Sequence, residues 1–367
     1  MKVVIFGLSV SSSWGNGHAT LWRGLCASLA KLGHRVVFFE KDTAYYAAHR
    51  DLHDLSGYEV RIYRDWREVV GRAKIETGDA DVAIVTSYCP DGAHASDLVL
   101  SLSSGVRVFY DLDTPITLSQ MRREETVPYL PQDGLGGFDL VLSFTGGRAL
   151  HDLQEMLGAR RVAPLYGSAD LGSHFPVEPV RAYESELSYL GTFSADRKHA
   201  LERLFVDVAR RLPAKRFVVG GSLYPADQSW ASNIAFMSHV APPSHPAFYC
   251  SSRATLNVTR RTMANMGYCP SGRLFEAAAC GVPLITDEWS GLESFFDPET
   301  ELAVVHTTEE VLAVLERPPI DLAKMASRAR ARVRAEHTSD HRARELLELV
   351  RDARSRKPLE PFVRVEV

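Results

Sequence analysis

The residues most able to do chemistry are concentrated between positions 255 and 291. This stretch is typical of a strand, a polar loop with Arg260, a turn at Ser271 and Gly272, and a short alanine-rich helix. The start of that helix offers N–H groups and the positive end of its dipole to an anion, and nearby arginines add charged donors. Glu276 follows one turn into the helix, where its carboxylate could accept hydrogen bonds from both hydroxyls of a ribose.

A second unusual stretch follows the first predicted strand, residues 3–6. It contains three serines and then Trp14, Gly15, Asn16, Gly17 and His18. The two glycines match the start of the dinucleotide-binding fingerprint, and Glu40 would supply its acid, but Thr20 stands where the third glycine belongs. The sequence that follows excludes a phosphate-binding P-loop, because no Gly-Lys-Ser/Thr is present. A tight turn explains the glycines but neither the histidine nor the serines.

Acidic residues follow two other predicted strands. Asp42 follows the second strand, and Asp111 and Asp113 follow the strand that ends at Tyr110. Two carboxylates at i and i+2 can share a divalent cation, but Asp-Thr-Pro is also a good turn starter, and we favour a turn or ligand hydrogen bonding. Because the sequence shows no cluster of His and Cys at metal-binding spacing, we predict no metal site.

Strand-like and helix-like segments alternate from the first residue, which predicts an α/β fold with parallel sheets covered on both faces. Six apolar strands end by residue 143, and another six lie between residues 187 and 305. A stretch rich in Gly, Ser, Pro and acids separates the two series. The predicted organisation is an N-terminal domain at 1–168, a linker at 169–185, a second domain at 186–336, and a helix and tail at 337–367.

The composition excludes several classes of protein. The chain has 367 residues, of which 45% are hydrophobic, and a formal net charge of -4, so nothing favours a nucleic-acid partner. Its apolar runs are shorter than the ~20 residues of a membrane span, and no secretory signal is visible. The five cysteines are scattered without Cys-x-x-Cys spacing. We therefore expect a cytoplasmic protein with two domains and no membrane span.

Several motifs together resemble one family. The stretch PSGRLFEAAACGVPLITDEWSGLESFF looks like the nucleotide-sugar-binding segment of family-one-like glycosyltransferases with the GT-B fold. TLNVTR, followed by GYCPSGRLFEAAACG, is most similar to the CgeB-like (spore maturation protein type) branch. The resemblance extends to SSSWGNGHATLWRGL and LSYLGTFSADR. It implies two doubly wound, Rossmann-like domains facing across a cleft, with the C-terminal helices crossing back to the first domain.

The resemblance also assigns roles to residues of the second domain. Glu276 would bind the ribose of the donor, and the loop and helix-end residues would approach its diphosphate. Tyr268 stands where many retaining members carry the first glutamate of Glu-x7-Glu, so the stereochemical outcome stays open. The implied donor-binding residues are Gly191, Thr192, Arg197, Gly221, Arg260, Tyr268, Ser271, Gly272, Arg273 and Glu276.

The implied reaction moves a sugar from a nucleoside-diphosphate sugar to an acceptor hydroxyl, with UDP ahead of dTDP, and needs neither a metal nor another cofactor. In an inverting transfer a base must take the acceptor proton, and the order of candidates is Asp113, His18 and Asp42. The loop from Trp14 to Gly17 would border the donor. The sequence does not identify the acceptor, which could be a protein, a glycan or a small molecule. The alternatives are a catalytically silent nucleotide-sugar-binding protein and an NAD-dependent reductase.

Overall fold

The computed structural model of the protein describes residues 1–52 and 57–355. These residues form two compact units. Unit 1 contains Met1–Tyr166 together with residues 340–355, and unit 2 contains Gly167–Ser339. Each unit has its own sheet and its own hydrophobic core.

Parallel strands form the sheet of unit 1. They are Lys2–Gly7 (β1), Arg35–Lys41 (β2), Glu59–Tyr63 (β3), Val82–Thr86 (β4), Val106–Asp111 (β5), Leu140–Ser143 (β6) and Val162–Pro164 (β7). Their order across the sheet is β3-β2-β1-β4-β5-β6-β7. The central strands β1 and β4 are apolar and almost wholly buried, as expected of a sheet with covered faces.

The helices of unit 1 alternate with these strands. They are His18–Lys31 (α1), Ala44–Ala47 (α2), Trp66–Gly78 (α3), Gly92–Leu100 (α4), Thr114–Arg122 (α5) and Arg148–Leu157 (α6). The apolar stripe of α1 is buried at Trp22, Leu25, Cys26 and Leu29, as the periodicity of the sequence predicts.

Unit 2 repeats the architecture with a second parallel sheet. Its strands are Ser185–Leu190 (β8), Phe217–Gly220 (β9), Ile234–Met237 (β10), Ser252–Asn257 (β11), Leu284–Thr286 (β12) and Ala303–Val304 (β13). Their order is β10-β9-β8-β11-β12-β13. The α-helices are Lys198–Leu201 (α7), Asp207–Arg211 (α8), His245–Cys250 (α9), Arg261–Met266 (α10), Gly272–Cys280 (α11), Thr308–Leu315 (α12) and Pro319–Glu336 (α13). A π-helical turn at Glu202–Val206 joins α7 to α8.

The last helix, Ser339–Ser355 (α14), returns the chain to unit 1. Its apolar side chains Leu346 and Val350 are buried in the same core as Leu25 and Val3. The predicted return of the chain to the first domain is therefore confirmed for this helix.

The strand order points to one place in each sheet for a ligand. Strand β1 lies between β2 and β4, and β8 lies between β9 and β11, so the direction of the chain across the sheet reverses at β1 and at β8. Open parallel sheets bind ligands beyond the carboxyl ends of the strands at such points. The loops after β1, β4 and β5 in unit 1, and those after β8, β9 and β11 in unit 2, are therefore the candidate sites.

The predicted elements agree closely with the structure. All twelve predicted strands are present, and β7, which ends in a proline and has three residues, is the strand that the sequence did not reveal. Residues 169–185, predicted as a linker, lie inside unit 2, where Ala169 pairs with Thr338. No helix in the described residues has the length and apolar composition that crossing a membrane requires.

Candidate functional site

The loop between β1 and α1 is organised around Glu40, at the end of β2. This buried carboxylate accepts hydrogen bonds from the hydroxyls of Ser9 (2.9 Å) and Ser11 (2.5 Å). It also accepts from the backbone N–H groups of Val10 (2.8 Å) and Ser11 (2.9 Å). A carboxylate has about four acceptor sites, so these bonds leave Glu40 little capacity for a ribose. The arrangement explains the serines and opposes the dinucleotide-binding interpretation.

Asn16 fixes the second half of this loop. Its side-chain amide donates to the carbonyl oxygens of Ser9 (2.9 Å) and Ser12 (3.1 Å). Its side-chain oxygen accepts from the backbone N–H of His18 (3.1 Å) at the start of α1. Asn16 thus holds the strand-to-helix turn rather than presenting its amide to a ligand.

Trp14, Gly15 and Gly17 have different structural roles in this loop. The Trp14 ring stacks on His49 with centroids 4.1 Å apart. Gly15 has a φ of +61°, which favours glycine. Gly17 has a φ of -68° and a Cβ there would meet nothing within 4 Å, so neither backbone nor space demands glycine at that position.

His18 and Asp113 come together at the carboxyl edge of the unit 1 sheet. Nε2 of His18 lies 3.8 Å from Oδ2 of Asp113, and both side chains are mostly buried. Burial lowers the pKa of His18 below its ordinary value of 6.5, while the charge of Asp113 acts in the opposite direction. The imidazole is therefore mainly neutral at pH 7. Its Nδ1 is buried and has no hydrogen-bond partner among the described residues.

Tyr88, directly after β4, joins this pair, although the sequence did not single it out. Its ring centroid lies 5.8 Å from that of His18. Burial, and then the charge of Asp113, raise the pKa of Tyr88 well above its ordinary value, so the hydroxyl keeps its proton. Its φ is +62°, an unfavourable conformation for an aromatic residue and one that is often found at functional sites. Its position after a central strand is the signal that could have found it.

The other two acidic candidates of unit 1 are engaged in contacts of their own. Asp42 forms an ion pair with Arg50 (2.5 Å) and a longer one with Arg64 (3.8 Å). Asp111 is fully buried, and burial raises its pKa to about 6. Asp111 Oδ1 accepts from the backbone N–H of Asp113 (3.1 Å), which is the turn that the Asp-x-Asp-Thr-Pro pattern predicts.

In unit 2 the loops after β8 and β9 lie backbone against backbone. The N–H of Gly191 donates to the carbonyl of Gly220 (2.8 Å), and that of Phe193 donates to Ser222 (2.9 Å). A Cβ on Gly221 would collide with the Gly191 carbonyl, and a Cβ on Gly191 would collide with the guanidinium of Arg273. Gly221 is therefore needed for the close approach of the two backbones, and Gly191 leaves room for the Arg273 side chain.

The loop between β8 and α7 places Arg197 in a buried position. Arg197 is only 7% exposed, and its Nη2 donates to the carbonyl of Thr192. Its Nε is buried and has no hydrogen-bond partner among the described residues. Burial lowers the pKa of Arg197, and the positive charges of Arg273 and Arg260 lower it further. Three guanidinium groups therefore repel one another in one small region.

The other two arginines approach Arg197 from different elements. Arg273, in the first turn of α11, donates to the carbonyl of Leu190 and, through Nε, to the hydroxyl of Ser271 (3.1 Å). Arg260, just before α10, has its buried Nε 3.6 Å from a carboxylate oxygen of Asp196, which is an ion pair but too long for a hydrogen bond, and this Nε has no hydrogen-bond partner among the described residues. The cluster has more positive charge and more N–H donors than its acidic neighbour satisfies.

The start of α11 lies next to this cluster. Ser271 is the N-cap of α11, and a Cβ on Gly272 would meet nothing within 4 Å. Tyr268 precedes the helix with a φ of +47°, and its partly exposed ring lies against Gly291. The predicted helix start thus exists, with the Tyr268 ring beside it, and the binding of a donor phosphate there stays a prediction.

Glu276 is buried in the middle of α11 beside two histidines that the sequence did not identify. Nε2 of His174 and Nδ1 of His245 each lie 4.0 Å from a carboxylate oxygen of Glu276. His174 falls in the predicted linker, and His245 begins α9. No spacing rule connects residues 71 positions apart, so this contact could not be predicted from the sequence.

Two comparisons bear on the class of protein. Residues 197–348 match the family described as glycosyl transferase-like, a match that covers most of unit 2 and the first half of α14. No curated protein sequence matches the chain.

Solved structures resemble the whole described chain. Sucrose-phosphate synthase from Thermosynechococcus elongatus aligns with a TM-score of 0.69 at 14% identity, covering 96% of this chain and 98% of that one. HepE from Anabaena, in complex with UDP and glucose, gives 0.68 at 14% identity, with coverages of 96% and 100%. An alpha-glucosyltransferase in complex with UDP gives 0.70 at 12%, again with 96% and 100%.

The fold is GT-B. At these identities the likeness to the solved structures establishes the architecture, and the predicted pair of doubly wound parallel sheets is confirmed. The family match in unit 2 and the GT-B architecture together support a glycosyltransferase. The roles of individual residues are a separate question.

Proposed function

We propose that this protein transfers a sugar from a UDP-sugar to an acceptor hydroxyl and that it belongs to the CgeB-like branch of GT-B enzymes. The observation that carries the proposal is the cluster of Arg197, Arg260 and Arg273, two of which have buried Nε–H groups without an acceptor among the described residues. An unsatisfied buried donor costs about 1–3 kcal/mol, and more when it is charged. A diphosphate supplies both the acceptors and the negative charge that this cluster lacks.

The diphosphate is proposed to bind between the arginines and the start of α11. Ser271 and Gly272 present the positive end of the helix dipole, and the open space at Gly272 lets an anion approach the backbone. Gly191 and Gly221 keep the adjoining loops low enough for that approach. These groups stabilise the leaving nucleoside diphosphate electrostatically, so the proposal requires no divalent ion on the phosphates.

The rest of the donor site follows along α11. Glu276 is proposed to accept hydrogen bonds from the ribose hydroxyls, and the partly exposed ring of Tyr268 is proposed to contact the donor. UDP is the proposed nucleotide ahead of dTDP, because two of the similar GT-B structures contain UDP. No further cofactor is proposed.

On the acceptor side, Asp113 is the proposed base for an inverting transfer. The acceptor oxygen would form a bond to the anomeric carbon, the bond from that carbon to the diphosphate oxygen would break, and Asp113 would take the hydroxyl proton. Neutral His18 lies 3.8 Å from Asp113 and places no full positive charge beside the carboxylate. Asp42 is the weakest of the three proposed bases, because arginines already pair with it.

The experiment that tests this proposal is a panel of donors. The protein is incubated with UDP-, dTDP- and GDP-sugars, each with and without Mg²⁺, while thermal unfolding and slow release of nucleoside diphosphate are followed. We expect UDP and UDP-sugars to raise the unfolding temperature equally with and without Mg²⁺, and at least one UDP-sugar to be slowly hydrolysed. Absence of any shift with every nucleotide would contradict the proposal.

The same panel separates the alternatives. A silent nucleotide-sugar-binding protein would show the shift without release of nucleoside diphosphate. A reductase would be stabilised by NAD(H) and not by UDP, an outcome that the saturated carboxylate of Glu40 opposes.

A further inference from the structure

The buried trio of His174, His245 and Glu276 has a geometry that the proposed function does not use. The closest atoms of the two imidazoles, Nε2 of His174 and Nδ1 of His245, are 3.4 Å apart. Each of these nitrogens lies 4.0 Å from the nearer carboxylate oxygen of Glu276. All three residues are more than 90% buried and come from separate segments of unit 2, namely residues 170–174, α9 and α11.

These distances are long for direct hydrogen bonds but fit a shared ion. Good N–H···O bonds span about 2.7–3.2 Å. Two ligands of one zinc ion, each at about 2.0–2.2 Å, lie roughly 3.3–4 Å apart, depending on the angle between them. The nitrogen pair at 3.4 Å corresponds to a tetrahedral angle, and the nitrogen–oxygen pairs correspond to wider ones. A small movement of the Glu276 carboxylate would bring the set close to zinc geometry.

The protonation of His245 suits a metal. Nε2 of His245 lies 3.1 Å from the carbonyl of Val240, so Nε2 carries the proton and Nδ1 presents its lone pair to Glu276. This is the arrangement in which metal-binding histidines are held by a backbone carbonyl. Nε2 of His174 lies 3.4 Å from this Nδ1 and therefore carries the proton of that contact, so binding of an ion requires the proton to move to Nδ1 of His174, which has no hydrogen-bond partner among the described residues. After that shift, two lone pairs and a carboxylate converge on one point.

We propose that His174, His245 and Glu276 bind a divalent transition-metal ion, with zinc the best match to two imidazoles and one carboxylate. The site goes beyond glycosyl transfer, and its existence does not depend on that activity. The ion would anchor the segment before β8 and α9 to α11, the helix that starts beside the arginine cluster. Oε1 of Glu276 faces His174 and Oε2 faces His245, so a ribose hydroxyl would use the lone pairs of the carboxylate that the ion does not take.

The test uses the full-length protein stripped of metal by a chelator and titrated with Zn²⁺ against a competing chromophore, with no nucleotide present. We expect one tight site per chain, and Co²⁺ in its place should give the visible absorption of a four-coordinate ion. His174→Ala and His245→Ala should each weaken binding about tenfold or more. His151→Ala is the matched control, since His151 belongs to an exposed His-Asp-Glu group in unit 1 and its loss should change nothing.

The outcomes are separable from those of the donor panel. If the alanine variants misfold, His174→Gln and His245→Gln, checked by near-ultraviolet circular dichroism, replace them with smaller disturbance of the core. Wild-type protein that binds no Zn²⁺ or Co²⁺ stoichiometrically would overturn the proposal and leave the two histidines as buried packing partners of Glu276. Stabilisation by UDP in that same protein would leave the proposed function intact.

Discussion

The loops that follow β1 in unit 1 and β8 in unit 2 differ in how far they satisfy the charged residue buried beside them. In unit 1 the loop after β1 wraps a single buried carboxylate, and its serines and backbone N–H groups satisfy Glu40 completely. In unit 2 the loop after β8 leads to Arg197, which is also buried but has an unsatisfied Nε–H and two positively charged neighbours.

The difference shows which of the two loops an anion would complete. A loop whose charges are balanced by its own atoms gains nothing from a ligand, whereas a buried cationic cluster with spare donors is completed by an anion. Similar strand-to-helix loops on similar sheets can thus differ in function. The glycines drew attention to the loop of unit 1, but the unsatisfied donors lie in unit 2.

The largest expected effect comes from removing the unsatisfied Nε–H donors of unit 2, those of Arg197 and Arg260. Arg197→Gln combined with Arg260→Gln keeps hydrogen-bonding groups but removes two positive charges. Because each hydrogen bond to a charged group contributes about 1.5–3 kcal/mol, the dissociation constant for UDP should rise roughly 100-fold or more. Isothermal titration calorimetry measures this change, and an unchanged affinity would show that the cluster binds no diphosphate.

The converse change in unit 1 should affect stability instead of binding. Glu40→Gln replaces one acceptor oxygen with an amide that faces the N–H and hydroxyl donors of the loop. We expect a loss of about 2–3 kcal/mol in the free energy of unfolding, measured in denaturant, because buried groups lose their partner. UDP affinity should match that of the wild type, so a large loss of affinity would place the nucleotide in unit 1.

The contribution of buried Asp111 in unit 1 to folding stability should depend on pH. Its folded-state pKa of about 6 lies above its ordinary value of 3.8, so it favours the folded state fully below pH 3.8 and loses that contribution as the pH rises through about 6. Asp111→Asn stays neutral throughout, and at pH 8 we expect it to be more stable than the wild type by about 2 kcal/mol. Denaturant unfolding at pH 4 and pH 8 tests this, and an equal difference at both values would refute it.

The smallest predicted effect concerns His18 and the pH dependence of turnover. The pKa of His18 is lowered by burial, so kcat/KM should fall only below about pH 6.5, where protonated His18 begins to pair with Asp113. His18→Gln should remove this limb of the profile while preserving UDP affinity. A limb that persists unchanged in the variant would assign it to another group.

The sequence predicted the features that depend on neighbouring residues, and it did not predict those that depend on contacts between distant residues. The strands and α11 follow from apolar runs and periodicity, and the N-cap at Ser271 and the buried Glu276 lie where short-range spacing placed them. Two features needed the tertiary structure. His174 reaches His245 across 71 positions from a stretch without periodicity, and the left-handed backbone of Tyr88 has no residue-type signature.

Glu40 illustrates a third case, in which the residue was noticed but its role was not. An acid at the end of the second strand fits a ribose-binding pattern, yet its hydrogen bonds come from serines that lie about 30 positions earlier in the chain. Whether a carboxylate forms hydrogen bonds with its own loop or with a ligand depends on the donors around it. Those donors become visible only once the loop is folded.

Hydrogen–deuterium exchange with and without UDP tests the central claim most directly, because it reports which loop the nucleotide orders. We predict slower exchange in peptides covering residues 190–198 and 258–276, and unchanged exchange in the peptide covering residues 8–18. Protection of residues 8–18 with unchanged exchange at the arginine cluster would contradict the account and move the nucleotide site to unit 1.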